Sequence, residues 1–226
     1  MGRKAALITE AIAHLMVDLA CFFLFAGHLT ATAKTTVLIG AGYLIFLILS
    51  YGLRPYFGLF LDEYPRAHSQ AIGCLLVGVT CLLPQRWAWI ALFPAAVGSA
   101  LFHTGALGES VAFARGYFSR NAIVLSTGVF GAALGTILAQ RTTPAPWMIA
   151  VVLFFSAFLC FFFAEARKYP RRIRSFRHSI TRSLPDWAIL VLTAFPALAA
   201  TLAAALLPAD WAKGLWTLIP AAVCMV

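Results

Sequence analysis

Charged residues are scarce in this chain, and acidic residues are the scarcest of them. Only 11% of the 226 residues are charged, and Asp and Glu number 8 against 17 Lys and Arg. Soluble domains carry about 25% charged residues and are roughly 45–50% apolar, whereas this chain is 62% hydrophobic. The deficit excludes a water-soluble domain and predicts an all-α integral membrane protein.

The sequence also lacks paired cysteines. Its five cysteines are scattered through apolar stretches without a CxxC spacing: Cys21, Cys74, Cys81, Cys160 and Cys224. This pattern indicates neither a disulfide framework nor a zinc site, and it is typical of cysteine used for apolar packing. The basic residues do not indicate nucleic-acid binding, because they lie between the apolar stretches, where Lys and Arg orient a membrane protein.

Eight apolar runs divide the chain, each ended by Pro, Gly or a charge. They cover residues 5–27, 36–57, 69–84, 88–110, 121–140, 146–164, 187–207 and 214–226. Long apolar runs without alternating polarity predict helices rather than a barrel. The last run is too short, since 13 residues make roughly 20 Å of helix against about 30 Å of hydrocarbon. We therefore expect the chain to stop inside an unfinished span.

The connections between the runs alternate between rich and poor in Lys and Arg. The amino terminus and the even-numbered loops hold 13 of these residues, and the odd-numbered loops hold 4. The positive-inside rule then predicts a multi-pass protein of the plasma (inner) membrane with a cytoplasmic amino terminus. The most basic loop, residues 165–186, is predicted to lie on anionic lipid.

The first apolar run carries three ionisable residues, Glu10, His14 and Asp18, at every fourth position. Four residues are close to one helical turn, so the three side chains share one face. Ionisable groups inside a bilayer are costly and usually face a bundle interior or a water-filled cavity. We therefore predict that this helix lines a cavity and that Asp18, near mid-membrane, is functional.

A short charged motif follows the second run, with Gly58, Asp62 and Arg66 spaced four residues apart. It predicts a tight cytoplasmic turn in which the carboxylate pairs with the arginine as a breakable gate. The motif resembles the G-x-L-a-D-r-x-G-r-r loop of the major facilitator superfamily, although Glu63 and Pro65 stand where that loop prefers a base and a glycine.

The fifth run carries Gly128, Gly131 and Gly135, a stripe of small residues that lets a neighbouring helix approach closely. Drug–proton antiporters of the same superfamily have a similar glycine-rich fifth span. Their span ends in Gly-Pro, whereas Thr136 stands in place of the proline here.

The fourth run contains Gly98-Ser-Ala-Leu-Phe-His103 and, six residues later, Glu109. Together with His14 and Asp18, this segment is similar to the fosmidomycin-resistance-type branch of the superfamily, which has H-x-x-x-D in span one and G-x-x-L-F-H in span four. The resemblance implies that spans one and four line a central cavity and that His103 faces His14 and Asp18. It also implies a major-facilitator-type bundle, with a six-helix half at 1–164, a linker at 165–186 and the start of a second half at 187–226.

The function implied by the resemblance is secondary transport rather than enzyme catalysis. Protons would drive the efflux of a small organic solute by alternating access, without a cofactor. The cavity residues would be Glu10, His14, Asp18, His103 and Glu109. Two alternatives stay open: a truncated or non-transporting membrane subunit that associates with itself, and an intramembrane metal-dependent enzyme that holds zinc through the histidines and carboxylates.

Overall fold

A computed structural model describes residues 3–63, 66–114, 118–141 and 145–163, which are helical nearly throughout and contain no strand. The helices are α1 (Arg3–Phe23), α2 (Thr36–Gly52), α3 (Arg54–Glu63), α4 (Arg66–Leu82), α5 (Ala88–Ala114), α6 (Phe118–Arg141) and α7 (Pro146–Phe163). A π-helical turn, Leu24–Leu29, and a short helix, Thr30–Thr32, continue α1, and a 3-10 turn, Gln85–Trp87, precedes α5. The all-helical class is confirmed for these residues. The linker at 165–186 and the runs at 187–207 and 214–226 lie outside them.

The surface and the interior of the bundle have the polarity of a membrane protein. Leu7–Thr32, Val37–Leu61 and Gln85–Gly108 are each long and apolar enough to cross a membrane. Shorter apolar helices accompany them at His68–Leu82, Ser126–Ala139 and Pro146–Phe162. Val37 and Phe130 are 78% and 70% exposed, whereas Glu10 and Asp18 are buried. An apolar exterior around buried ionisable groups reverses the pattern of a water-soluble domain, so the fold is that of a membrane-associated protein.

The first helix runs beyond residue 27, where the sequence predicted its end. The π-helical turn carries the chain past Gly27, and the hydroxyl of Thr30 donates to the carbonyl oxygen of Ala26 at 2.5 Å. Regular structure ends only at Ala33, which is extended. The predicted end of this run is wrong.

Helical structure likewise continues past residue 57, the predicted end of the second run, because α3 follows α2 directly and reaches Glu63. Pro55 has no N–H to donate, so the backbone ladder is interrupted near it, and α2 gives way to α3 at Leu53. Hydrogen bonds nevertheless span the junction, because Leu53 keeps a right-handed helical conformation. Gly58 therefore lies inside α3, where the sequence predicted a helix end, and Asp62 is the last residue but one of that helix. The predicted tight turn falls on residues 64 and 65, which lie outside the described residues.

Helix α1 occupies the centre of the packing. It packs most extensively against α6 and also contacts α5 and α7, while α4 packs against α5 and α7, and α2 lies on α5. The side chains of Val17, Val77, Phe102 and Leu153 are fully buried in this interior. The ionisable residues come together where α1, α5 and α6 meet.

Candidate functional site

Three ionisable side chains meet between α1 and α5. His14 and Asp18 lie one turn apart on α1, and His103 reaches them from α5. The Nε2 atoms of the two histidines are 3.1 Å apart. Nε2 of His14 lies 3.3 Å from Oδ2 of Asp18, and Nε2 of His103 lies 3.4 Å from Oδ1. Each imidazole thus faces a different oxygen of one carboxylate, and we call these three residues the triad.

Backbone carbonyls orient both imidazoles. Nδ1 of His14 lies 2.8 Å from the carbonyl oxygen of Val124 on α6, and Nδ1 of His103 lies 2.7 Å from that of Ser99, one turn earlier on α5. A carbonyl oxygen only accepts hydrogen bonds, so each Nδ1 carries a proton and donates it. Both Nε2 atoms therefore point into the triad.

The triad is buried in this conformation. The side chains of His14 and Asp18 are each 4% exposed and that of His103 is 10% exposed. The ring of Phe102 stacks on His14 with centroids 5.9 Å apart. The sequence predicted a helix that lines a cavity; in this conformation α6 lies directly against the ionisable face of α1, and the cavity stays a prediction.

The glycines of α6 explain how the helix comes so close. A methyl group at Gly131 or Gly135 would overlap the backbone of α1, and one at Gly128 would overlap Asp18 and His14 themselves. Small residues allow two helix backbones to approach in this way. Gly128 therefore belongs to the wall of the triad as well as to the helix contact.

A short chain of hydroxyl groups connects the triad to α2. Ser50 on α2 donates its hydroxyl to Oγ of Ser99 at 3.1 Å, and Oγ of Ser99 lies 3.3 Å from Nδ1 of His103. Both serines are buried. Sequence reasoning missed them: the four-residue spacing of Ser99 and His103 was an available signal, whereas nothing in the sequence indicated Ser50 or the carbonyl group of Val124.

Glu10 lies two turns before Asp18 and is buried on α1 like the triad. The side-chain amide of Gln70 on α4 donates to Oε1 of Glu10 at 3.4 Å, and Gln70 is buried too. This bond joins α1 to α4. Gln70 had no signal in the sequence that would mark it as a partner of Glu10.

The described side chains leave the remaining predicted residues untested. The side chains of Asp62, Arg66 and Glu109 lie outside the described part of the molecule, although their backbone is helical. Gly58 lies in α3, where an added methyl group would meet the side chain of Thr104 only at 3.9 Å. The cytoplasmic gate and the role of Glu109 stay predictions.

Two imidazole nitrogens and a carboxylate so close together can share protons or hold a divalent metal ion. Among the described residues, His14, Asp18 and His103 form the group whose ligand atoms could surround one ion. Zinc with ligands at about 2.0–2.2 Å in a tetrahedral site would place those ligands roughly 3.3–3.6 Å apart. A ring N–H donated to a carbonyl is also usual for a metal-bound histidine.

Comparison of the chain with protein-family models, with curated proteins and with solved structures found no match. The resemblance to the major facilitator superfamily therefore depends on the sequence motifs alone. The class that the structure defines is an all-helical, membrane-associated protein with a buried triad of ionisable residues.

Proposed function

We propose that this protein is a proton-coupled secondary transporter of a small organic solute that works by alternating access. The observation that carries the proposal is the burial of His14, Asp18 and His103 at the centre of an apolar helical bundle. Ionisable groups in such surroundings are costly, and in membrane proteins they mark ion paths and proton relays.

The position of the triad supports coupling between proton binding and helix movement. Its members come from α1 and α5, and α6 covers them through Gly128. If α6 moved away from α1, water would reach the side chains and stabilise a charged state. If it closed again, burial would favour a cluster without net charge. Movement of the helices would therefore change the number of protons that the triad holds.

The proposal includes the predicted orientation and location. The excess of Lys and Arg in alternate loops supports a plasma-membrane protein with its amino terminus in the cytoplasm. The basic segment at 165–186 would then lie on the anionic cytoplasmic leaflet.

Everted membrane vesicles test the proposed activity. An energised vesicle holds a proton gradient that a pH-sensitive dye reports, and a solute that exchanges for protons dissipates part of it. Fosmidomycin is the first solute to add, because the resembled branch is named for resistance to it, and a panel of anionic, cationic and neutral organic solutes follows. We expect proton movement that depends on both solute and protein.

The exposed His68, which stacks on Phe161, provides a matched control for changes to the triad histidines. The His68→Gln variant should behave like the wild type in this assay. Solute movement that persists after the proton gradient is collapsed would contradict proton coupling. No solute-linked proton movement across the whole panel would contradict the transporter itself.

A further inference from the structure

The hydrogen bonds of the two triad histidines limit where protons can be. His14 and His103 each donate Nδ1–H to a backbone carbonyl. If both rings were neutral, their Nε2 atoms would present only lone pairs to each other across 3.1 Å. They would present the same lone pairs to the carboxylate of Asp18. Facing acceptors repel, and a hydrogen bond needs a donor, so at least one further proton must lie within the triad.

The shortest distance in the triad locates that proton. The two Nε2 atoms are 3.1 Å apart, whereas the carboxylate oxygens of Asp18 lie 3.3 and 3.4 Å from the nearer nitrogens. A protonated Asp18 would donate to one ring and leave two lone pairs opposed across the shortest gap. A protonated imidazole instead donates Nε2–H to the other ring and presents its positive charge to the carboxylate.

We propose that His14 and His103 form a proton-binding pair that holds one proton between their Nε2 atoms, with Asp18 as its counter-ion. One carboxylate oxygen faces each ring, so the proton has the same compensation on either imidazole. The sequence singled out Asp18 as the functional carboxylate, and its role here is to stabilise a proton that the histidines carry. Only the part that the pair plays in coupling depends on the proposed transport function.

The charges around the pair favour occupancy by a single proton. With one shared proton the triad is neutral; without it the charge is −1, and with a second proton +1. Arg54 of α3 acts electrostatically on both imidazoles, and its positive charge opposes every added proton; Asp18 carries only one negative charge and so compensates only the first. Glu10 lies one turn before His14, and the thiol of Cys21 is close enough to Asp18 to interact with its charge. On α4 the uncharged Gln70 bonds to Glu10, and on α6 Gly128, which carries no side chain, lies against Asp18 and His14.

Proton binding by the pair depends on the distance between α1 and α5, because each helix carries one of the two histidines. An N–H···N bond weakens steeply once the nitrogens separate beyond hydrogen-bond distance. A movement of α5 relative to α1 by about 1 Å would therefore break the bond and free one nitrogen for water. The proton would leave or bind as the helices part or close.

Nitrogen-15 NMR of the full chain in lipid bilayers tests the pair directly and needs no transport assay. The chain has five histidines, and replacing His28, His68 and His178 with Gln leaves only the pair. We expect both Nδ1 atoms to be protonated and a scalar coupling to link the two Nε2 atoms across the hydrogen bond. The same coupling is sought in the wild-type chain, so that a folding defect of the reduced chain cannot hide it.

Single substitutions separate the pair from its counter-ion. His14→Gln and His103→Gln should each abolish the coupling. Asp18→Asn should still show the coupling. As the pH rises, however, the coupling should disappear about one pH unit or more below the pH at which the wild type loses it, because an adjacent carboxylate favours the charged imidazole. Loss of the coupling at the same pH in Asp18→Asn and wild type would overturn the counter-ion role.

Two other results would overturn the pair itself. The first is an NMR spectrum of two neutral imidazoles without coupling, together with an infrared C=O stretch of a carboxylic acid that disappears in Asp18→Asn. The other is stoichiometric zinc in the purified protein whose removal by a chelator shifts both Nε2 resonances, since a metal ion would then occupy the place of the proton. A coupling observed in a protein that moves no solute would leave the pair intact and refute only the proposed function.

Discussion

Glycines allow two pairs of helices to pack closely, α4 with α5 and α1 with α6, but the side chains around the two contacts differ. In the first, a methyl group at Gly73 would lie 2.6 Å from the carbonyl oxygen of Gly98, so the two backbones nearly touch. In the second, the glycines of α6 lie directly against α1 in the same manner. Small residues therefore account for the closeness of both contacts.

The side chains around the two contacts differ. Cys74, Val77 and Phe102 are fully buried beside the α4–α5 contact, whereas the triad lies beside the α1–α6 contact. Apolar residues often replace buried charges without loss of stability. Close packing therefore does not require a triad. From its presence at one contact only, we propose that this contact carries the activity while the other stabilises the bundle.

The largest effect is expected when the α1–α6 contact is broken at Gly131. A methyl group there would overlap the backbone carbonyl of Leu15, which cannot move without the whole helix. Gly131→Ala should destabilise the protein by about 3 kcal/mol, measured as a lower unfolding temperature and less monodisperse protein. Gly40→Ala is the matched control, because nothing lies within 4 Å of the added methyl group. Equal stability of the two variants would refute the close contact.

The next largest effect is expected on activity alone. Asp18→Asn should abolish proton-coupled transport and leave folding intact, because an amide and a carboxyl group have nearly the same shape while the counter-ion is lost. Solute-dependent proton movement in everted vesicles measures the activity, and His68→Gln serves as the control. Coupled transport at the wild-type rate in Asp18→Asn would remove this residue from the mechanism.

Gly128→Ala should reduce coupled transport while leaving the close packing of α1 against α6 intact. Its added methyl group would meet the side-chain ends of Asp18 and His14 instead of backbone, so these groups can shift while the helices stay together. We expect folded protein in wild-type amounts and coupled transport reduced on the order of tenfold, since about 1.4 kcal/mol corresponds to that factor. Loss of folding as complete as in Gly131→Ala would show that Gly128 serves packing alone.

The smallest effect is expected at Ser50, the serine farther from the triad in the chain of hydroxyl groups. Ser50→Ala removes the hydroxyl that donates to Ser99, and a net loss of about 1 kcal/mol per hydrogen bond limits the drop in transport to roughly fivefold. Ser156→Ala is the matched control, since the buried hydroxyl of Ser156 on α7 only donates to Val152 of its own helix at 2.9 Å. If the two variants transport equally well, the link between α2 and the triad has no part in the activity.

The sequence predicted the elements better than their ends. Apolar length and the positions of Pro and Gly located the helices within a few residues. The ends at 27 and 57 were wrong because the apolar pattern stops there while the helical backbone continues to Thr32 and to Glu63.

The candidate site was predictable only in part. The four-residue spacing placed His14 and Asp18 on one face, and the family resemblance alone placed His103 opposite them. The carbonyl group of Val124 and the hydroxyl of Ser50 left no signal, because a contact between distant segments does not show in residue type. The shared proton also could not be predicted, since it follows from distances between atoms.

The most direct test compares, in one assay, a substitution in the triad with one that lies outside both helix contacts. Solute-dependent proton movement is measured for His103→Gln and for Ser156→Ala, which changes α7 against the apolar side of the bundle, and each rate is divided by the amount of folded protein in the vesicles. The account predicts that His103→Gln folds normally and loses coupled transport, while Ser156→Ala retains it. Coupled transport at the wild-type rate in folded His103→Gln would contradict the claim that the triad carries the activity.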